Sequence, residues 1–292
     1  MLADALASVE WQTFRPIECI VVDDGSTDDT PGELERWEQG WRGRAGLTLR
    51  VIRQAYGGAC RARNAGLAEA SGEFVQFLDS DDLLLPDKLQ RSVDALRTQP
   101  GLGYVAGGRI FVNDQAVQQM RGAGPGTLPD ARPPDLLTGR RLARLPAQAV
   151  LGFVRRDLCR QAGGWNESLV RHQDWEFTTR LIAHLDGALR LRVPLYAVRL
   201  HDHGRIDDLR RNRLAALDAR LRAALSAEAF LAGARDDLPG LAAVLSRLRW
   251  RYFKVMRQAL KAGSLVHFGR AAGHLLRAGM PHGGELTGTG ST

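Results

Sequence analysis

Residues 73–86 have the sequence EFVQFLDSDDLLLP. An apolar run, Phe74-Val75-Gln76-Phe77-Leu78, leads into Asp79, Asp81 and Asp82. A short apolar run bounded by turn signals predicts a buried strand. Carboxylates crowded at its carboxyl end repel one another, and each loses water. A hard divalent cation such as magnesium, manganese or calcium would relieve both costs, because such ions take oxygen ligands. A solvated turn that caps a helix entered at Pro86 explains the same residues. The stretch alone does not choose between them.

Upstream, Ile17 to Val22 predicts a second strand, IECIVV, running into Asp23-Asp24-Gly25-Ser26. Ligands of open α/β sheets sit beyond the carboxyl ends of strands, so this ending points to a nucleotide site. Thr30-Pro31-Gly32-Glu33 has the capping-box pattern and predicts a helix to about Gln39. Leu47 to Ile52 predicts a strand. Gly57-Gly58-Ala59 opens a helix, ACRARNAGLAEA, whose first turns hold Arg61, Arg63 and Asn64. A basic helix start can receive an anion or a base; a solvated basic face is the alternative. The alternation over residues 17–78 is β-α-β-α-β, which implies an α/β domain with a mainly parallel sheet flanked by helices.

Downstream, Pro86 to Arg97 predicts a helix and Gly103 to Val112 a strand. The Gly- and Pro-rich residues 118–139 predict a long loop, and Ala147 to Val154 a strand. Gly163-Gly164-Trp165-Asn166-Glu167 is a turn, and His172-Gln173-Asp174-Trp175-Glu176 opens a helix to about His184. Leu189 to Arg199 predicts a strand, placed at an edge because Pro194 interrupts it. It runs into His201-Asp202-His203. Leu2 to Thr13 and the chain after Ile206 have helical spacing.

The 292 residues carry a net charge of +7. Residues 1–206 hold 26 basic and 26 acidic residues, so the excess lies wholly in residues 207–292, with 14 basic and 7 acidic. A nucleic-acid-binding protein would not be neutral over its site-bearing part. A basic helical appendage suits an anionic membrane surface or an acidic partner instead. Packing on the first domain or on a second subunit explains these helices equally. Three scattered cysteines, Cys19, Cys60 and Cys159, form no CxxC pair, which argues against a disulfide framework or zinc site and fits a reducing compartment. No secretory signal or membrane span is evident.

The order LASVEWQTFRPIECIVVDDGSTDDT, GGACRARNAGLAEASGEFVQFLDSDDLLLPDKL, GGWNESLVRHQDWEFTTRL and VRLHDHGRI resembles a family 2 glycosyltransferase of the GT-A fold, over about residues 6–206. The resemblance implies a metal-dependent, inverting enzyme in the cytoplasm, or at the inner face of the membrane. Its donor would be a nucleoside-diphosphate sugar and its acceptor a glycan or lipid-linked hydroxyl, as in surface polysaccharide synthesis. Asp24 would contact the nucleotide base or ribose, Asp23 would shape the turn, and Arg63 would face the base or diphosphate. Asp79-Ser80-Asp81 corresponds to the family's DxD motif, with Asp79 near the ribose and Asp81 on a manganese or magnesium ion. His201 would help hold the metal or diphosphate, with His203 as a rival. Asp174 would be the catalytic base, although an N-cap role suits it too. Gln173 replaces the family's more frequent Glu. Trp165 and Glu176 would line the acceptor side.

The expected organisation is a GT-A domain over 1–206, a basic helical appendage over 207–280 and a disordered tail over 281–292. The family also begins with a strand ahead of the helix that here starts at Leu2. This chain has no such strand, so the expected domain is N-terminally truncated, with a gap and unpaired backbone groups in its sheet. Competing readings are an impaired relative that only binds a nucleotide or a partner, and a nucleotidyltransferase. The latter lacks a glycine- and basic-rich phosphate loop.

Overall fold

The computed structural model describes residues 1–123, 134–146, 148–200, 213–233 and 238–277. His201, His203 and the tail expected at 281–292 lie outside them. Ten helices and eight strands are described: α1 (Leu2–Glu10), β1 (Ile17–Asp23), α2 (Thr30–Trp41), β2 (Leu47–Arg53), α3 (Ala59–Glu69), β3 (Phe74–Gln76), β4 (Leu83–Leu84), α4 (Lys88–Thr98), β5 (Tyr104–Val112), α5 (Asp114–Ala123), β6 (Asp135–Thr138), β7 (Gly152–Arg155), α6 (Arg156–Gln161), α7 (Gln173–Ala183), β8 (Gly187–Arg199), α8 (Arg213–Ala232), α9 (Leu241–Lys261) and α10 (Leu265–Arg277).

The strands form two sheets. β1 and β2 pair in parallel, in register from Ile17 opposite Leu47 to Asp23 opposite Arg53. The other six run in the order β3-β7-β5-β8-β4, with β6 also on β8. Among the described residues no strand pairing joins the two sheets. The α/β architecture flanked by helices stands as expected, but the larger sheet is mixed: β5 and β8 are parallel, while β3·β7, β5·β7, β4·β8 and β6·β8 are antiparallel.

β8 is not the edge that Pro194 suggested. It is a central strand, paired with β5 along one side. On the other side β6 pairs residues 187–190 and β4 pairs residues 196–197. Pro194 falls between these two partners, where its missing N–H costs no ladder hydrogen bond. Helix α5 (114–123) runs into the stretch 118–139 expected to be a loop, and β6 lies near the end of that stretch.

α1 closes the outer edge at β4. Its Ser8 hydroxyl accepts the Leu84 amide (3.1 Å), and Gln12 donates to the Leu85 carbonyl (2.9 Å) while accepting the Leu89 amide (3.1 Å). Ser8 on the buried face of α1 thus satisfies a backbone group of β4, and Gln12, just past the end of α1, satisfies one after β4 and one in the first turn of α4.

The main apolar cluster runs from the sheet into the C-terminal helices. Tyr104, Val154, Trp165 and Phe177 share it with Leu221 and Ala224 of α8 and Leu248 and Tyr252 of α9. These side chains remove a large apolar area from water, at about 25 cal/mol per Å². The basic helices are therefore packed onto the body that carries the site.

Candidate active site

β1 delivers Asp23 and Asp24 to one end of the small sheet. Asp23 accepts the Ser26 amide (2.9 Å), a local side-chain bond three residues on that folds the chain back. Gly25 follows with φ +82°, and a Cβ there would meet the Tyr56 amide nitrogen at 2.9 Å. Only glycine combines that dihedral with so close an approach. Asp24 accepts from Gln54 (2.7 Å), the Gly57 amide (2.9 Å) and the Gly58 amide (2.6 Å). Burial pushes its carboxyl up. The hydrogen bonds from Gln54, Gly58 and Gly57 and the charge of Arg61 outweigh that and hold it below the ordinary carboxylate range. Asp24 thus ties the loop after β1 to the start of α3.

Asp79, Asp81 and Asp82 converge after β3. One carboxylate oxygen from each lies within 4.8 Å of the others. The set is all hard oxygen, which suits magnesium or manganese. Asp82 carries the crowding: burial, then the charges of Asp81 and Asp79, push its carboxyl up to about 6. The Arg199 amide donates to Asp82 (2.9 Å). The Tyr196 hydroxyl accepts the Asp79 amide (3.3 Å) and bonds the Asp82 carboxylate. Central strand β8 therefore braces the acidic turn at two points, the Tyr196 hydroxyl and the Arg199 amide. A buried carboxyl driven upward by neighbours of like charge is a site that a cation would stabilise, so the residues present fit the metal.

Arg63 of α3 joins this turn to the start of α7. Its guanidinium donates to Asp79 (2.8 Å) and to Gln173 (3.3 Å) and lies 4.6 Å above the Trp165 ring. Burial lowers its pKa, but the charges of Asp79 and Asp174 more than offset that, so it stays cationic. Asp174, half-buried in the first turn of α7, therefore stands in the field of the same guanidinium. His172 precedes the helix in the left-handed region, φ 60°, the only non-glycine among the described residues to do so. Such backbone is uncommon for a side chain of this size, and held strain of this kind clusters at functional sites.

Two expected acceptor-side residues face the core. Trp165 is buried, stacked on Phe177 with centroids 4.3 Å apart and edge-on to Phe77 at 5.1 Å. It is the floor beneath Arg63. Glu176 is 1% exposed and pairs with Arg180 of the same helix through contacts of 2.8 and 2.7 Å. It also accepts the Ser226 hydroxyl of α8 (2.6 Å). A carboxylate enclosed this way reaches no acceptor; it positions α7 against α8. Asp82 was visible only as a neighbour of the DxD pair. Tyr196 and Gln54, distant in sequence, carried no motif that would have singled them out.

The structure thus brings Asp79, Asp81, Asp174 and Arg63 together, while Asp23 and Asp24 stand at the end of the neighbouring sheet. Comparison with known proteins bears on the family and the fold. The model of Glycosyl transferase family 2 matches residues 1–148. An uncharacterized glycosyltransferase of Nostoc sp. is 37% identical over 139 residues, 47% of this chain and 42% of the relative. The succinoglycan biosynthesis protein ExoW of Rhizobium meliloti is 41% identical over 98 residues, 33% of this chain and 30% of the relative. A UDP-Glc:alpha-D-GlcNAc-diphosphoundecaprenol beta-1,3-glucosyltransferase of Escherichia coli is 27% identical over 117 residues, 40% of this chain and 43% of the relative. The match thus spans less than half the length of each of these relatives. Among solved structures, S. aureus TarS with UDP-GlcNAc superposes with a TM-score of 0.68 at 19% identity, covering 95% of this chain and 76% of that one. A Pyrobaculum calidifontis mannosyltransferase with GDP-Man and Mn2+ gives 0.55 at 18%, covering 95% and 76%. These two show the fold. With the family model covering half of its length, the chain belongs to glycosyl transferase family 2.

Proposed function

We propose that this chain moves a sugar from a nucleoside diphosphate, UDP first among the candidates, to an acceptor hydroxyl with inversion at the anomeric carbon, in the synthesis of a surface glycan. The observation that carries the reading is the Arg63 bridge, which holds the Asp79 turn and the Gln173-Asp174 turn to one guanidinium. The turn assigned to the donor and the turn assigned to the acceptor thereby meet at one side chain. The UDP-GlcNAc of one structural neighbour and the polysaccharide and lipid-diphosphate names of two relatives support the choice of substrates.

Asp24, with the Gly57-Gly58 loop, receives the nucleoside. Asp81, with Asp79 and Asp82, would hold a divalent ion, which when bound would supply charge neutralisation for the leaving diphosphate. Arg63 stays cationic and adds to this stabilisation from the Asp79 side. Asp174 accepts the proton of the attacking acceptor hydroxyl on the opposite face of the sugar. The αL turn at His172 sets the direction in which α7 presents that carboxylate.

Asp174→Asn tests the reading. Transfer is expected to fall by about 10²–10⁴-fold, the range for losing a general base, while manganese-enhanced UDP binding persists. Lost UDP binding, or retained turnover, refutes the assignment of Asp174. Manganese-enhanced UDP binding without turnover of any sugar nucleotide by the unmodified chain marks a binding module instead.

The C-terminal helices add a peripheral membrane contact to this proposal. Among the described residues no helix is long and apolar enough to cross a membrane. Trp250, Phe253, Leu260, Leu265 and Val266 are nevertheless exposed, and Trp250 and Phe253 line one groove with Lys254, Arg257 and Lys261. Exposed aromatics framed by cations suit an anionic bilayer surface. Co-sedimentation with anionic liposomes at low salt is expected, and its absence counts against the contact.

A further inference from the structure

Arg251 is buried without the partners that a buried guanidinium needs. It lies on α9 with 9% of its surface exposed. Its Nε and Nη2 are enclosed and donate to nothing among the described residues. Its guanidinium carbon stands 4.3 Å from the centroid of Trp175, the residue after Asp174. Arg247, one turn earlier, lies over the same ring at 5.9 Å. It donates to the Leu145 carbonyl (3.0 Å) and the Thr179 hydroxyl (3.2 Å), neither of which carries charge. No carboxylate is paired with Arg247 or Arg251 among the described residues. Removing such ions from water costs several kcal/mol each unless charge is returned to them.

More cations surround the place. Arg220 of α8, held by Gln258 (2.6 Å), and the exposed Lys254 of α9 approach the same turn of α7. Burial, then the charges of Arg251, Arg220, Arg171 and Lys254, push the His172 imidazole down to about 3. Burial, then Arg220 and Arg247, push Arg251 down to about 9. The turn itself opens an eleven-residue helix with no side-chain cap, so its first amides also face outward as donors. Unpaired buried donors, several converging cations and an uncapped helix start together describe an anion receptor. The planar fork of arginine matches phosphate in particular.

We propose that Arg251, Arg220 and Lys254, at the start of α7, form a subsite for a phosphate group carried by the acceptor. Trp175, the ring beneath Arg251, follows Asp174 in the chain, so a phosphate held there would orient an acceptor that reaches Asp174. That placement rests on the glycosyltransferase reading; the existence of the anion site does not.

The experiment is calorimetric titration of the full chain with inorganic pyrophosphate in EDTA, which keeps the Asp79 cluster free of metal. The unmodified chain is expected to bind with a single saturable isotherm. Arg251→Gln is expected to weaken that binding at least tenfold, and Arg220→Gln and Lys254→Gln severalfold each. The last two alter half-buried or exposed side chains and guard against a folding defect in the first. Manganese-dependent UDP binding, measured in parallel, is expected to be the same in all four proteins. If UDP binding fails in all of them while the pyrophosphate series holds, the donor reading is wrong and the anion site stands. Farnesyl diphosphate is the second probe. Tighter binding than pyrophosphate assigns the phosphate to a lipid-linked acceptor, and equal binding to a soluble phosphorylated one; both uphold the subsite. Absence of saturable pyrophosphate binding, or equal affinity in all variants, overturns it.

Discussion

Replacing Glu176 by Gln removes one charge from a buried pair while keeping the shape of the side chain. Glu176 accepts three hydrogen bonds: two from Arg180, at 2.8 and 2.7 Å, and one from Ser226, at 2.6 Å. Both partners of the ion pair are buried, with Arg180 5% and Glu176 1% exposed. After the substitution, Arg180 keeps the Ala162 carbonyl and the faces of Phe177 and Phe230, each about 5.7 Å away. Its charge is then uncompensated in a nearly dry place. Breaking a buried pair from one side costs about 3–5 kcal/mol, chiefly for the stranded ion. Urea unfolding followed by circular dichroism would read this as a lower midpoint with an unchanged slope. The double variant Glu176→Leu/Arg180→Met removes both charges and should recover most of the loss, because nothing charged is left stranded. Transfer kinetics measured well below the unfolding midpoint should show an unaltered acceptor KM. A loss under about 1 kcal/mol, or a raised KM with unchanged stability, would return Glu176 to the acceptor side and refute the positioning role.

Other expectations concern how the helices dock and how a buried amine titrates. Gly240 precedes α9, and a Cβ there would meet the Ile182 carbonyl oxygen at 1.6 Å and its carbon at 2.7 Å. Both are backbone atoms, so Gly240→Ala should lift α9 off the end of α7 and cost more than about 3 kcal/mol; an unchanged melting temperature refutes this contact. Burial pushes the fully enclosed Lys88 amine from 10.5 down to about 7. Its unfolded form takes up a proton more readily than its folded form. The destabilisation is therefore absent above pH 10.5, grows as pH falls and is complete below about 7. Lys88→Met should stabilise the protein by up to about 4 kcal/mol near neutral pH, with the gain fading toward pH 10. An equal gain at both pH values would show that charge is not the cause.

The two acidic turns were legible in the sequence because their residues are local. VVDDGSTD and LDSDD each place carboxylates directly after a predicted strand, and both strands form where expected. Asp174 stood out for the same reason, as an acidic residue in the first turn of an expected helix. Contacts between distant segments were not. Glu176 lies two residues from Asp174 and shares its chemistry, yet a helix turns about 100° per residue, which sends it to the buried face. Pro194 suggested an edge because the gap between β6 and β4 cannot be inferred from β8 itself. Residues 114–123 were hidden by the Gly- and Pro-rich composition that follows them. Arg247 and Arg251 belong to no motif; that they lie inside, over Trp175, depends on how α9 packs on α7.

The parting of the sheet bears on how the donor is gripped. Asp23 and Asp24 ride on the β1–β2 pair, and Asp79, Asp81 and Asp82 on the six-stranded sheet. Side chains span the seam: α3 lies on β1 and reaches across through Arg63 to Asp79 and through Asn64 to Trp165. Without a shared ladder, the two plates can rock against each other at little cost in hydrogen bonds. A nucleotide laid across them would then be a rivet: its nucleoside end pinned to one plate, its diphosphate to the other. Part of its binding energy would go into stilling that motion. Amide protons of β1 and β2 should accordingly exchange more slowly once UDP and manganese are bound, while those of β5 and β8 change little.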